Sequence, residues 1–475
     1  MAQGKGRLNL KNPLFFASEP SSSGPAHAAH ADEDEASRGL LAKLTGGPLR
    51  RLGAAAPHAL ALSDQALVSG ASFLTTIVVS RSTDSSQLGI YAIGVSLIVM
   101  MIGIQAALVS LPYMIQRHKS QVSPTDRAGA SLAQTGQLAA VSTSLFALAA
   151  IVLSATRDVP QSTAMLWALA GLGPFFLLRE FARQFAFAHL WIGEAFLVDI
   201  AAAAIQFGVL GWLGRARMMS PASACAALGG ACTVTGLAWL YLRRDQFTRP
   251  SRRDLVTSGR SWALGKWLVA GQITGLLQRY VTYWLLAAFL GSSATGVFTA
   301  CMSVVAFVNP LTIGLSNVFM PRAVLAYAEG GGQRLLGETV RNSLLLGASM
   351  GLFCVLVAFA GGDVVGLLYH GPEYQSRGLE VTLLTLSWLP FALGLPACIG
   401  LAAMERPRPI VWAGIGSVLV TMGLVYALSG RWGLVGAACA VIAGSSVEAA
   451  ARWLAFLAHI ARPNTATRNA EARAA

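Results

Sequence analysis

Charge is the scarcest property of this sequence. Asp, Glu, Lys and Arg make up 12% of its 475 residues, about half the share found in an ordinary soluble domain, and the stretch 88–116 contains none. About 20 apolar residues carry a helix across the hydrocarbon core of a bilayer, so this scarcity excludes a soluble fold. A P-loop is missing too. The nearest run, Gly259 to Gly265, has the wrong spacing, and Lys266 is followed by Trp267, which argues against direct ATP drive. The six cysteines all fall in apolar stretches without a CxxC pair and read as packing residues rather than metal ligands. Among the seven histidines, His27 and His30 lie in a polar leader. His58, His118, His189, His370 and His459 stand singly, so neither a catalytic triad nor a metal set is expected.

Apolar length dominates what is present: 54% of residues are hydrophobic and the mean hydropathy is +0.57. Windows of membrane length predict helices 1 to 6 near 57–80, 88–112, 131–156, 163–187, 193–214 and 222–242. Helices 7 to 12 follow near 262–290, 294–320, 342–361, 379–403, 410–428 and 434–457. The fold class is therefore all-α integral membrane with about twelve transmembrane helices. Residues 1–55 contain Ser21 to Gly24 and the acid run Asp32 to Glu35, too polar to bury a core, and predict a disordered tail. The apolar island Leu14 to Ala17 is shorter than the roughly 7–15 residues of a signal-peptide core.

The net charge of +13 finds its meaning in its placement. An even helix count puts both ends of the chain on one side. The loops and tails of that side carry 27 of the 35 Lys and Arg, the opposite loops 6, and Lys266 and Arg279 lie inside helix 7. The positive-inside rule makes the richer side cytoplasmic. The basic balance then reflects insertion topology and anionic lipid, and no nucleic-acid partner is needed. Expected units are a tail over 1–55, an N-lobe over 56–242, a basic cytoplasmic linker over 243–261, a C-lobe over 262–458 and a cytoplasmic tail over 459–475.

The two lobes echo each other. Leu67-Val68-Ser69-Gly70 matches Leu268-Val269-Ala270-Gly271, and Ser85-Ser86-Gln87-Leu88-Gly89-Ile90-Tyr91 matches Ser292-Ser293-Ala294-Thr295-Gly296-Val297-Phe298. Leu111-Pro112 and Met320-Pro321 close helices 2 and 8, and Pro174-Phe175 and Pro390-Phe391 sit in helices 4 and 10. Both halves start on the cytoplasmic side. The repeats are therefore parallel, two six-helix lobes related by a pseudo-two-fold along the membrane normal with a cleft between them.

Three segments carry a resemblance to a known family: helix 1 running into Ser86-Gln87-Leu88-Gly89-Ile90-Tyr91; Arg179-Glu180-Phe181-Ala182-Arg183-Gln184 with the later Asp199; and Ala402-Ala403-Met404-Glu405-Arg406. Over about residues 57–460 the chain resembles the polysaccharide flippases, the exporters of O-antigen and exopolysaccharide repeat units in the multidrug/oligosaccharidyl-lipid/polysaccharide exporter superfamily. The resemblance implies a V-shaped bundle in the bacterial inner membrane that moves lipid-linked oligosaccharide from the cytoplasmic to the outer leaflet. Polysaccharide polymerase or chain-length machinery would be its partners. The long N-terminal tail departs from the family's compact start.

Ionisable residues within the bilayer are expensive and serve as default site candidates. Arg279 lies past the midplane of helix 7, and Gln272, Arg279 and Tyr283 share one helix face. That face could bind a diphosphate through forked guanidinium donors, or Arg279 could pair with a carboxylate of the other lobe. Lys266 reaches either headgroups or an entering diphosphate. Arg179 and Arg183 either line the inner entrance or are neutralised, Arg183 by Glu180 at i−3. Asp199 shares a face with Gln206 and is a candidate to carry a coupling proton or Na⁺, with pairing to Arg183 as the competing reading. Asp64 is open in the same way. Glu448 and Arg452, spaced i,i+4, read as an internal pair, and Arg81 as an exposed loop residue. Pro310, preceded by Asn309, should kink helix 8; Pro174, Pro390 and Pro396 should bend helices 4 and 10.

Two other readings remain. A multidrug and toxin exporter of the same superfamily would want buried acids for cationic drugs rather than Arg279, Arg179 and Arg183. A polysaccharide polymerase or ligase would want a large outer loop, whereas the longest here is 362–377.

Overall fold

Hydrocarbon offers no partner for backbone N–H and C=O groups, so a chain this apolar must satisfy them internally. The computed structural model describes residues 56–116, 124–157, 159–248 and 262–461, and its main compact unit is Leu60–Ala475. Among the described residues there is no strand. The tail expected over 1–55, most of the linker and the end of the C-terminal tail lie outside the described residues.

The N-lobe comprises α1 (Ala56–Ser82), α2 (Ser85–Gln105, continued by a π turn Ala106–Ser110 and the short helix Leu111–Gln116), α3 (Pro124–Thr156), α4 (Pro160–Ala188), α5 (Ile192–Arg215) and α6 (Pro221–Leu242). The C-lobe starts with α7 (Trp262–Phe289). Its α8 runs through Ser292–Val305 and a 3-10 turn Ala306–Val308. The helix Asn309–Leu368 is interrupted by non-helical dihedrals at Gly330 and Gly331. This divides it into the inner half of α8 (309–329) and α9 (332–368). α10 consists of Gly378–Leu386 and Trp388–Ala403. Gly433, with φ +57°, splits Pro407–Ala461 into α11 (407–432) and α12 (434–461). Gly331 and Gly433 occupy left-handed backbone, where a side chain would be strained, and so close tight helical hairpins.

Local signals set the helix starts. Asp84 caps α2 by accepting the Gln87 N–H at 2.7 Å. Ser220 and Ser223 form a reciprocal capping box ahead of α6, with Pro221 in the first turn. The sequence places α3 seven residues too late and truncates α9 at both ends. Hydropathy sees only the portion of a helix that lies in hydrocarbon, while capping and packing extend it beyond. Pro310 does mark a break: the 3-10 turn ends just before Asn309–Pro310 and a new helical segment begins with that proline.

The lobes join from the middle of the bundle to one end, the end that the charge pattern assigns to the outside. One apolar cluster there unites Ile77, Leu88 and Tyr91 of the N-lobe with Val297, Phe298 and Tyr369 of the C-lobe. Toward the inner end the cores separate, one around Phe319, Leu346 and Phe456 and two others around Leu177 and Phe185. From the end of its 3-10 turn onward α8 packs Val308, Phe319 and Ala323 into its own lobe and leaves Leu311, Val318 and Leu325 exposed. The result is a bundle whose apolar core is continuous between the lobes at that end and divided at the other.

Candidate functional site

The outer closure is a reciprocal contact between the sequence repeats. Ser85 Oγ lies 2.8 Å from Ser293 Oγ, and Ser86 Oγ lies 2.5 Å from Ser292 Oγ. The repeat aligns Ser85 with Ser292 and Ser86 with Ser293, so each residue meets the counterpart of its neighbour, as a two-fold axis requires. Gly89 and Gly296 let the backbones touch: a Cβ on Gly89 would lie 1.9 Å from the Ser292 carbonyl oxygen, and one on Gly296 would lie 1.9 Å from that of Ser85. Arg81, expected as an ordinary loop residue, instead crosses the interface. Its Nε donates to the Leu368 carbonyl at 3.0 Å and its Nη2 to that of Leu367 at 3.3 Å, capping the C-terminal end of α9 with a positive charge. Sequence spacing gave no sign of this, because the partner is 287 residues away.

Across the middle of the interface, α7 lies against α2. Leu276 fills the space beside Gly103, where a Cβ would lie 2.4 Å from its Cδ1, and Trp284 Nε1 donates to Ser96 Oγ at 2.8 Å. The face of α7 that carries Leu276 also carries Gln272 and Arg279. Gln272 lines a cavity of about 260 Å³ between the lobes, opposite Ser110 and Gln184. Arg279 is exposed. Among the described residues no carboxylate lies within ion-pairing distance of it. Tyr283 packs edge-on against Phe298 at 4.9 Å between centroids. The side chain of Lys266 lies outside the described residues.

Arg179, Arg183 and Asp199 come together, away from the cleft. Arg179 and Asp199 line a second cavity inside the N-lobe, with Thr75, Tyr91 and Gln206. Arg179 is hydrogen-bonded to Asp199. Arg183 Nη2 donates to Asp64 Oδ2 at 2.8 Å, and its Nε stands 3.0 Å from Asp199 Oδ2. Glu180 lies 3.8 Å from Arg183 and accepts from Gln184 Nε2 at 2.7 Å. Two cations and three carboxylates thus share one buried site, with Asp64 and Asp199 fully enclosed. Burial makes this pairing necessary, because an isolated charge there would cost several kcal/mol. The C-lobe has its own pair: Glu448 accepts from Arg452 and from Gln278 of α7, and Gln278 also reaches Ser417 at 3.0 Å. Asp64, Glu180, Asp199 and Glu448 therefore all face a guanidinium. Among the described residues no cluster of His, Cys, Asp and Glu could hold a metal ion.

Two lobes joined at the outer end, with a pseudo-two-fold contact between α2 and α8, define a known architecture. An inward-facing multidrug resistance MATE family transporter of the MOP superfamily superposes with TM-score 0.69 and 13% identity over 82% of this chain and 94% of that one. The chain has the MATE transporter fold. An outward-facing MATE structure matches with TM-score 0.62 and 13% identity over 84% and 93%, so the agreement is better with the inward-facing form, consistent with the closed outer end. A MOP superfamily transporter from Pyrococcus furiosus, whose binding pocket is described as having reverse polarity, matches with TM-score 0.62 and 14% identity over 87% and 95%. No protein-family profile and no curated protein matches the sequence. The chain is thus a multi-pass, all-α membrane protein in which Gln272 lines a cavity with Ser110 and Gln184, Arg279 is exposed on the same face of α7, and Arg179, Arg183 and Asp199 lie together inside one lobe.

Proposed function

We propose that this protein is a flippase that carries polyprenyl-diphosphate-linked oligosaccharide repeat units from the cytoplasmic to the outer leaflet of a bacterial inner membrane, with both termini cytoplasmic. One observation carries the reading: Arg279 is an exposed cation on the α7 face that also carries the cavity-lining Gln272, without a carboxylate partner among the described residues, while Asp64, Asp199 and Glu448 are each paired with an arginine. A diphosphate would find forked, permanently charged donors there, and the polyprenyl chain would stay in lipid. An inside-negative potential would favour outward movement of the anionic headgroup by about 2.3 kcal/mol per charge per 100 mV.

Coupling at Asp199 is proposed to use a proton rather than Na⁺. Both of its oxygens already face guanidinium groups, which take the places a metal would need. Asp64 and Asp199 both lie against Arg183, so a proton taken up at either would be shared by one buried set. That proton would also neutralise the set of two arginines and three acids. The fold likeness favours a second reading, a multidrug or cation antiporter, since the matched structures include multidrug transporters. A cationic drug, however, would meet Arg279 and no free acid in the described cleft.

The deciding experiment deletes the gene and separates extracted lipids by mass. A complete lipid-linked repeat unit should accumulate on the cytoplasmic face while surface polysaccharide disappears. Unchanged lipids with altered drug tolerance would favour the antiporter, and accumulation on the outer face would point to a polymerase or ligase.

A further inference from the structure

The interlobe cavity beside Gln272 has a construction that the diphosphate reading does not use. On its N-lobe side the α ladder of helix α2 gives way to the π turn Ala106–Ser110, in which the Leu111 N–H bonds to the Ala106 carbonyl. Pro112 follows. It has no N–H to give, so a carbonyl of this turn is left without its helical partner. Single π turns of this kind recur at functional sites. The Ser110 hydroxyl, which lines the cavity, is 5% exposed and has no hydrogen-bond partner. A buried orphan hydroxyl is costly, and the residue that carries it lines this cavity.

The remaining polar groups are equally specific. Gln184 gives one of its two amide N–H groups to Glu180 at 2.7 Å, which fixes the side chain and leaves its second N–H and its carbonyl oxygen for a ligand. Gln272 makes no hydrogen bond among the described residues, so both ends of its amide are available. Leu111 and Met114 supply an apolar wall. No lining residue is charged. Uncharged donors and acceptors thus stand beside an apolar patch, which suits the hydroxyls and C–H face of a sugar ring, and no side-chain charge is present to favour an anion. A volume of about 260 Å³ lies at or below the lower limit of whole-ligand pockets, roughly 300 Å³, and holds one ring rather than a repeat unit.

We infer that Ser110, Gln184 and Gln272 form a subsite for one uncharged sugar ring of the transported headgroup. This inference rests on the flippase reading and adds a specificity element to it. Gln272 lies seven residues from Arg279 on the same face, about 10 Å along α7. A diphosphate held at Arg279 would therefore place its first sugar at the subsite.

The test uses the full-length protein in lipid nanodiscs with three probes: a short polyprenyl diphosphate, the same lipid bearing one N-acetylhexosamine, and an alkyl glucoside without phosphate. The parent should bind the glycosylated diphosphate about tenfold more tightly than the bare one, as two modest hydrogen bonds would give. Ser110→Ala and Gln272→Ala should bring that ratio to about one, and Arg279→Ala should weaken both diphosphates equally and keep the ratio. Ser110→Ala removes a group with no partner, so its melting temperature should not fall below the parent's, which separates lost recognition from lost folding. Equal binding of the two diphosphates by the parent, or a ratio that survives both alanine variants, overturns the subsite and leaves the flippase standing. Binding of the alkyl glucoside alone, lost in Gln272→Ala, keeps the subsite and overturns diphosphate transport. Failure of all three probes to bind overturns both.

Discussion

Arg279 carries the functional argument because a guanidinium within a bilayer needs either a partner or a task. The arginines of the N-lobe have partners: Arg179 with Asp199, and Arg183 with Asp64 and Asp199. Charge-assisted hydrogen bonds contribute about 1.5–3 kcal/mol each, so Arg279→Ala or Arg279→Gln should weaken retention of an anionic headgroup about 10- to 100-fold while inserting at parental levels. Export measured in a deletion strain complemented with each variant checks this. Parental export by both variants would remove Arg279 from the site. Arg279→Lys should fall between, since it keeps the charge and loses the planar fork. Arg279 is legible in the sequence as a charge in an apolar helix. Ser110 is not singled out by the sequence and Gln184 enters only as part of a family-like stretch, because uncharged polar residues are common in membrane helices and Leu111-Pro112 reads simply as the end of helix 2.

Helices α2 and α8 act as a pair of levers in contact at one end. Their outer turns meet through Gly89 and Gly296 at distances that leave no space for a methyl group. Gly89→Ala or Gly296→Ala should therefore destabilise the closed outer end by about 1–3 kcal/mol, typical of overpacking, which is roughly five- to a hundredfold in the closed-to-open ratio. Spin labels at Ser82→Cys and Leu367→Cys, both exposed and flanking the Arg81 contact, would report a longer distance population. Gly136→Ala meets nothing within 4 Å and should leave the distribution unchanged. Identical distance distributions in all three proteins would mean that this contact does not hold the gate. The repeat alone predicted that these segments correspond. It could not show that they touch, since symmetry-related segments lie on the axis only if the lobes pack there.

For the whole molecule, the asymmetry of Lys and Arg, 27 against 6, predicts orientation independently of packing. A C-terminal epitope should be inaccessible to protease from outside until the membrane is permeabilised, whereas Ser82→Cys should react with an impermeant maleimide from outside. The opposite pattern would invert the bundle and turn the closed end inward. Hydropathy determined the helical class and the number of spans, sequence self-similarity the two-lobed repeat, and charge placement predicts the orientation. Hydropathy and charge placement depend on single segments measured against a fixed external reference, the thickness and polarity of the bilayer. The tertiary structure alone decided which charges are spent and which are free. Asp64 and Arg183 are 119 residues apart, Gln278 and Glu448 are 170 apart, and Arg81 ends on backbone in the other lobe. Such pairings depend on which helix faces meet, and many arrangements of twelve apolar helices satisfy the same bilayer equally well.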